Sequence, residues 1–434
     1  MRPLITPMHL PNSPAALPVS RREFLVRTVG SLATVSALSL SLPQTRAATA
    51  KQRGKRVMAY VGTFTPGTPT AEPYNTSPGN GRGIHIFELE PATGKLLPRD
   101  VLVDDTSPNC LAFNLARTHV YATKKGSGAL GSGAVSSYRI DRATGGLTML
   151  NTVSAGGAGP THLSLHPSGR HVFVANYIAG SVAVLPVQPN GELGAATEVK
   201  ELRGTVGPKQ AASAPPGSFA ISGHDTSHAH MIQPDAAGRF VIAANLGLDQ
   251  LHVWKFDERA GKLIENDPPT VSLPRGDGPR HFAWHPNGRW LYSFQEEGST
   301  VAWFDYDAAS GRLSARQTLS TLPRGFTGSS FGSGIMVSPD GRFVYAANRL
   351  HDSIAILSVA GNGGLTLVGE EWTRGDYPRS LNFDPGGNFL FSCNQRADAV
   401  VAFRIDHQTG GLTFVGQYTP VGSPSVIVFL ELER

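Results

Sequence analysis

Residues 83–103 read GIHIFELEPATGKLLPRDVLV: two β-rich runs joined at Gly94-Lys95-Leu96. The same arrangement closes the chain at residues 400–421, VVAFRIDHQTGGLTFVGQYTPV. A Gly-x-Leu turn recurs seven times, at Gly94/Leu96, Gly145/Leu147, Gly191/Leu193, Gly261/Leu263, Gly311/Leu313, Gly363/Leu365 and Gly410/Leu412. A self-similar period of roughly 50 residues made only of β units predicts propeller blades. Seven turns predict an all-β, seven-bladed β-propeller of four-stranded antiparallel blades. A closed ring also provides a central mouth on which side chains from every blade can converge.

A second element lies between successive Gly-x-Leu turns, as in GPTHLSLHPSGRHVFVANY (159–177), GPRHFAWHPNGRWLYSFQE (278–296) and YPRSLNFDPGGNFLFSCNQ (377–395). Each reads as a hairpin of the two inner strands, and the Gly-x-Leu turn then joins the two outer ones. The positions before the first inner strand are Asn109, Thr161, His230, Arg280, Ser333 and Arg379. Fifteen residues on stand Lys124, Asn176, Asn245, Gln295, Asn348 and Asn394, followed by Lys125, Tyr177, Leu246, Glu296, Arg349 and Gln395. Antiparallel strands return to where they began, so both sets belong at one end of the propeller. His230, Arg280, Glu296, Arg349 and Arg379 are expected to meet there.

The last hairpin is half present. SPSVIVF supplies one strand with Ser425 in register, and MAYVGTF near the start, with Thr63, is its expected partner. Pairing residues 57–63 with 425–430 would close the ring through the two chain ends and cover two open sheet edges. Three irregular stretches, 65–82, 126–134 and 203–227, flank inner strands and are expected on the mouth face, where long loops carry function.

The first fifty residues stand apart from the repeats. Ser20-Arg21-Arg22-Glu23-Phe24-Leu25 is a twin-arginine signature, followed by a weakly apolar stretch from Val29 to Leu42 and small residues, with Ala47 or Ala50 as cleavage site. Residues 1–50 are therefore read as a twin-arginine signal peptide and 51–434 as one propeller domain. The product is expected in the periplasm or secreted, as a monomer with no membrane span once the signal is removed. The leader holds five Arg and one Glu, a net of +4 out of +5 for the whole chain. A nearly neutral mature domain argues against nucleic acid as a partner. Cys110 and Cys393 occupy non-equivalent repeat positions and read as buried free thiols. His228-x-His230 has strand spacing that can aim both rings one way, but a lone pair predicts no metal. No cofactor is expected, since no Gly-rich phosphate loop occurs.

These hairpins, with VSPDGRFVYAANRLHDSIAIL (337–357), resemble the seven-bladed lactonase family. It includes propeller-type 6-phosphogluconolactonases and carboxy-cis,cis-muconate lactonizing enzymes. The resemblance runs from about residue 57 to the end and implies a mouth of His, Arg and Glu residues. Its motifs fall on His228-Ala229-His230, Pro279-Arg280-His281, Gln295-Glu296, Asn348-Arg349 and Pro378-Arg379. It also implies acids where this chain has Lys124-Lys125, Asn245 and Gly334, so the family's substrate does not carry over with the fold.

Lactone hydrolysis needs a base for water, a cation or donor for the oxyanion and an acid for the leaving oxygen. The sequence offers Glu296 as base, with Glu297 a solvated neighbour, and His228 or His230 as proton donor or shuttle. Arg280 supplies a planar fork for an anion or oxyanion. Arg349, Arg379, His281, Asn348 and Gln395 are candidate substrate contacts, with Asn348 part of an Asn series suited to holding turns. The expected ligand is a small lactone or anionic, carbohydrate-like molecule. The expected activity is a 6-phosphogluconolactonase-like lactonase. A muconate-type cycloisomerase and a non-enzymatic exported ligand-binding propeller remain alternatives. A Glu among arginines equally suits a ring of blade-to-blade ion pairs.

Overall fold

The computed structural model describes residues 55–66, 79–125 and 133–433. Residues 1–54, 67–78, 126–132 and 434 lie outside the described residues, and with them the twin-arginine signature and its expected cleavage site.

Seven four-stranded antiparallel sheets are present among the described residues. The innermost strands of blades one to six are Leu111–Phe113, Pro160–Leu165, Ala229–Pro234, Pro279–Trp284, Phe331–Val337 and Pro378–Phe383. The seventh blade joins the chain ends: Pro424–Leu432 pairs antiparallel with Arg56–Thr63, with Tyr60 opposite Val428. The seam buries what would otherwise be two free strand edges.

The Gly-x-Leu repeat is the bolt between blades. All seven glycines have positive φ, from 64° at Gly261 to 96° at Gly363, a region that side chains disfavour. Each also lies against the second inner strand of the preceding blade. A Cβ on Gly410 would come within 2.5 Å of the Phe343 ring, and one on Gly311 within 2.3 Å of Phe240. In four cases a buried tyrosine of the preceding blade donates its hydroxyl to the glycine carbonyl: Tyr60 to Gly145 (2.8 Å), Tyr121 to Gly191 (3.2 Å), Tyr292 to Gly363 (2.9 Å) and Tyr345 to Gly410 (2.9 Å). The paired leucine drops into the core; Leu96, Leu193, Leu263, Leu313, Leu365 and Leu412 are buried. Apolar side chains thus fill a separate core between each pair of neighbouring blades. Cys110 and Cys393 are buried free thiols in two of these cores.

Candidate functional site

The ring of register positions is built by β-bulges. In blade four Pro279 pairs with Gln295 and His281 with Phe294, which leaves Arg280 as the extra, unpaired residue. The same irregularity isolates His230 between Ala229 and Met231, Arg379 between Pro378 and Ser380, and Thr161 between Pro160 and His162. In blade five Ser333 and Gly334 together oppose the single residue Ala347. A bulge bends the strand and re-aims one side chain without ending the ladder. Repeated around the ring, it directs one residue per blade at the axis.

Two of these positions, Arg280 and Arg379, carry charge, and Glu296 and Arg349 stand beside them. Arg280 Nε and Arg349 Nη2 both lie 2.8 Å from Glu296 Oε2. Arg349 also donates to the Gly332 carbonyl (2.9 Å) and the Tyr377 hydroxyl (3.1 Å). Arg379 donates to Gln395 Oε1 at 3.3 Å and covers the Phe64 ring. A central cavity of about 610 Å³ opens in front of them, and its wall includes Arg280, Arg379, His162, His230 and His281. That volume suits a small ligand. Among the described residues no carboxylate and no lysine lines this cavity; Glu296 and Arg349 stand behind its wall. Glu296 is only 2% exposed.

The three imidazoles form a chain, with His281 5.0 Å from His230 and 5.7 Å from His162 between ring centroids. All three are held neutral. Burial pushes His162 down to about 4, helped by the Arg280 charge. Burial, then the field of the arginines, holds His230 and His281 well below the ordinary histidine range. His230 Nδ1 is buried without a hydrogen-bond partner. His162 was not among the sequence candidates, although it follows Thr161 as His281 follows Arg280.

Several expectations need correction. His228 does not share a direction with His230, because the bulge interrupts the alternation. Its ring stacks on Tyr177, with Nδ1 2.9 Å from the Tyr177 carbonyl and Nε2 2.8 Å from Asp225. Asn348 holds a turn instead of facing the mouth: its amide bonds Thr321 and Ser353. Glu297 is not solvated. It is fully buried and gathers the 203–227 loop: the Ser222 and Gly223 amides donate to Oε1, and the Ser222 hydroxyl does so at 2.7 Å. His224 bridges it to Asp249, with Nδ1 3.1 Å from Glu297 and Nε2 2.9 Å from Asp249. Burial alone would lower that imidazole, but its two carboxylate partners raise it to about 10. The clamp backs onto the site, since the Glu296 and Glu297 amides donate to the Gly278 and Asp277 carbonyls and Gly278 N bonds Asp249.

The chain as a whole has known relatives. The model of the lactonase family, described as a 7-bladed beta-propeller, matches residues 58–429. The chain belongs to this family. It is 33% identical over 377 residues to a 6-phosphogluconolactonase of Bacillus subtilis, covering 87% of this chain and 99% of that one. A 6-phosphogluconolactonase of Pectobacterium carotovorum is 31% identical over 362 residues, or 83% and 98% of the two chains. Among solved structures, the periplasmic gluconolactonase of Pseudomonas aeruginosa superposes with a TM-score of 0.75 at 30% identity, covering 87% of this chain and 99% of that one.

Proposed function

We propose that the chain hydrolyses a lactone at the central mouth. The observation that carries this reading is the meeting, in one cavity, of Arg280 and Arg379 with three neutral imidazoles from successive blades. Water adds to the lactone carbonyl as His230 Nδ1 takes its proton. Arg280 and Arg379 stabilise the oxyanion. Collapse breaks the acyl–oxygen bond, and the proton passes from the imidazolium to the departing ring oxygen, giving a hydroxy acid. Glu296 is a positioning residue in this scheme. Its buried place between Arg280 and Arg349 suits it to aim the Arg280 fork. An anionic ligand would also screen the arginines, whose field adds to burial in lowering His230.

Sugar lactones, the substrates named by the relatives, are the reference compounds. Hydrolysis of a lactone panel by pH-stat, for the protein and for Arg280→Ala, tests the reading. Turnover with kcat/KM reduced at least about 100-fold in Arg280→Ala is expected, the loss typical of an oxyanion donor. A panel left wholly intact would sink it.

We further propose export through the twin-arginine route, on the strength of Arg21-Arg22 and the apolar stretch behind it. Replacing both arginines with lysine should stop translocation. Normal export of that variant would refute the route.

A further inference from the structure

We propose that the lactone carries an apolar arm, alkyl or aryl, and that this arm runs down the central channel below the arginines. The inference rests on the reading of the mouth as a lactone site and concerns which lactones it accepts. The observation is a change of chemistry with depth. Each innermost strand contributes to the channel in the same order, so its residues form rings stacked along the axis.

The ring at the bulge holds Arg280, Arg379 and His230, and the next holds His162 and His281. Gly334 stands at that second level in blade five and places no side chain across the opening. One position deeper the residues are uniformly apolar: Leu111, Leu163, Ile232, Phe282, Ile335, Leu381 and Ile427 pack into the seven cores between blades. The residues after them face the channel again, and four of the seven are the apolar Ala112, Ala283, Met336 and Val428. Two of the polar ones are tied to the wall. Ser164 donates to the Ile232 carbonyl at 2.8 Å, and the Asn382 amide to the Ile427 carbonyl at 2.8 Å. The last level is Phe113, Leu165, Trp284 and Val337.

From the uniformly apolar level to the last are two strand rises, about 7 Å of channel at the usual rise. Over that depth the cavity is lined by no Asp, Glu, Lys or Arg among the described residues. A fully hydroxylated lactone would find, besides the tied Ser164 and Asn382, only Gln233 as a polar side chain at the fourth level of this length. A lactone bearing a hydrocarbon arm would set its carbonyl among the histidines and arginines and bury the arm beneath them. Burial of each methylene favours binding by up to about fourfold.

The test uses the purified protein and two matched series, 4-alkyl γ-lactones and the 4-hydroxy acids they give. Calorimetric binding of 4-hydroxybutanoate, 4-hydroxyhexanoate, 4-hydroxynonanoate and 4-hydroxydodecanoate reports the channel without requiring turnover. Kd should tighten about threefold per methylene through the nonanoate and then level off. In Ala283→Leu, which narrows the channel at its fourth level, the gain should stop at a shorter arm. Ala112→Leu narrows it from another blade and serves if the first variant does not fold. Affinity indifferent to chain length, or a length dependence unchanged in both variants, overturns the proposal, as does failure of every hydroxy acid to bind. Length-dependent binding with no lactone hydrolysed would keep the arm channel and refute the hydrolytic reading. Lactone turnover without length dependence would do the reverse.

Discussion

Glu296 and Glu297 are neighbours in sequence and both are buried, yet their side chains join different machines. Glu296 turns toward the axis and lies between Arg280 and Arg349. Glu297 turns outward and ties down the 203–227 loop through Ser222, Gly223 and His224. The histidines on the two sides differ accordingly. His224, between two carboxylates, is raised to about 10, while His230, among arginines, is held well below its ordinary range. One residue of the turn after Gln295 separates an electropositive site with neutral imidazoles from a clamp with a charged one. The difference teaches that buried charge here has two uses: the clamp neutralises itself and orders a loop, whereas the mouth keeps an excess of positive charge for a ligand.

The comparison breaks most visibly under substitution. His230→Gln should cut kcat by about 100-fold or more, the usual value of a general base, and leave the melting temperature within a few degrees. Glu297→Gln should do the opposite. Removing one partner of a buried ion pair costs about 3–5 kcal/mol, and a fall in melting temperature of several degrees should accompany a smaller loss of kcat. Calorimetry and pH-stat assay of both variants check this. Equal losses of both quantities in both variants would erase the distinction.

Stability against pH sharpens it. His224 is raised from 6.5 to about 10. Its contribution is therefore complete below about pH 6.5 and lost as pH climbs to about 10. The melting-temperature gap between the protein and His224→Gln should be widest near pH 6 and close by about pH 10. The channel imidazoles have the opposite sign. Folded, they stay neutral where the unfolded chain binds protons, so they cost stability as pH falls below 6.5. His230→Gln should accordingly lose less stability between pH 7 and pH 5 than the protein itself. Identical slopes on both sides of neutrality would contradict the two assignments.

The smallest expected effect lies far from either cluster. Tyr345→Phe removes the hydroxyl donated to the Gly410 carbonyl and should cost about 1 kcal/mol without altering turnover. A larger effect on activity than on melting temperature would mean that the bolts between blades also shape the mouth.

Much of this was legible in the chain. The seven Gly-x-Leu turns spell out the blades because each glycine has both a backbone and a packing reason to be there. The mouth ring was legible because a bulge repeated at one strand position preserves the spacing from which the ring is read. The bulge itself was not, and so His228 and His230 looked parallel when they are not. The clamp was hidden for a different reason. Asp249 recurs in register as Asp352 and Asp398, and Asp277 as Asp376, but His224, which joins the clamp together, lies in a connection outside the repeat, where no periodicity places it. Asn348 and Glu297 were placed correctly along the chain, but the direction of each depends on a partner from a distant segment: Thr321 for one, Ser222 and His224 for the other.

The most direct test of the account is the hydrolysis of lactones, followed by pH-stat, by the protein and by His230→Gln. The account predicts ring opening by the protein, and a variant that melts at nearly the same temperature while turning over at least about 100-fold more slowly. Undiminished turnover in His230→Gln would contradict the mechanism, and no turnover by the protein on any lactone would contradict the activity.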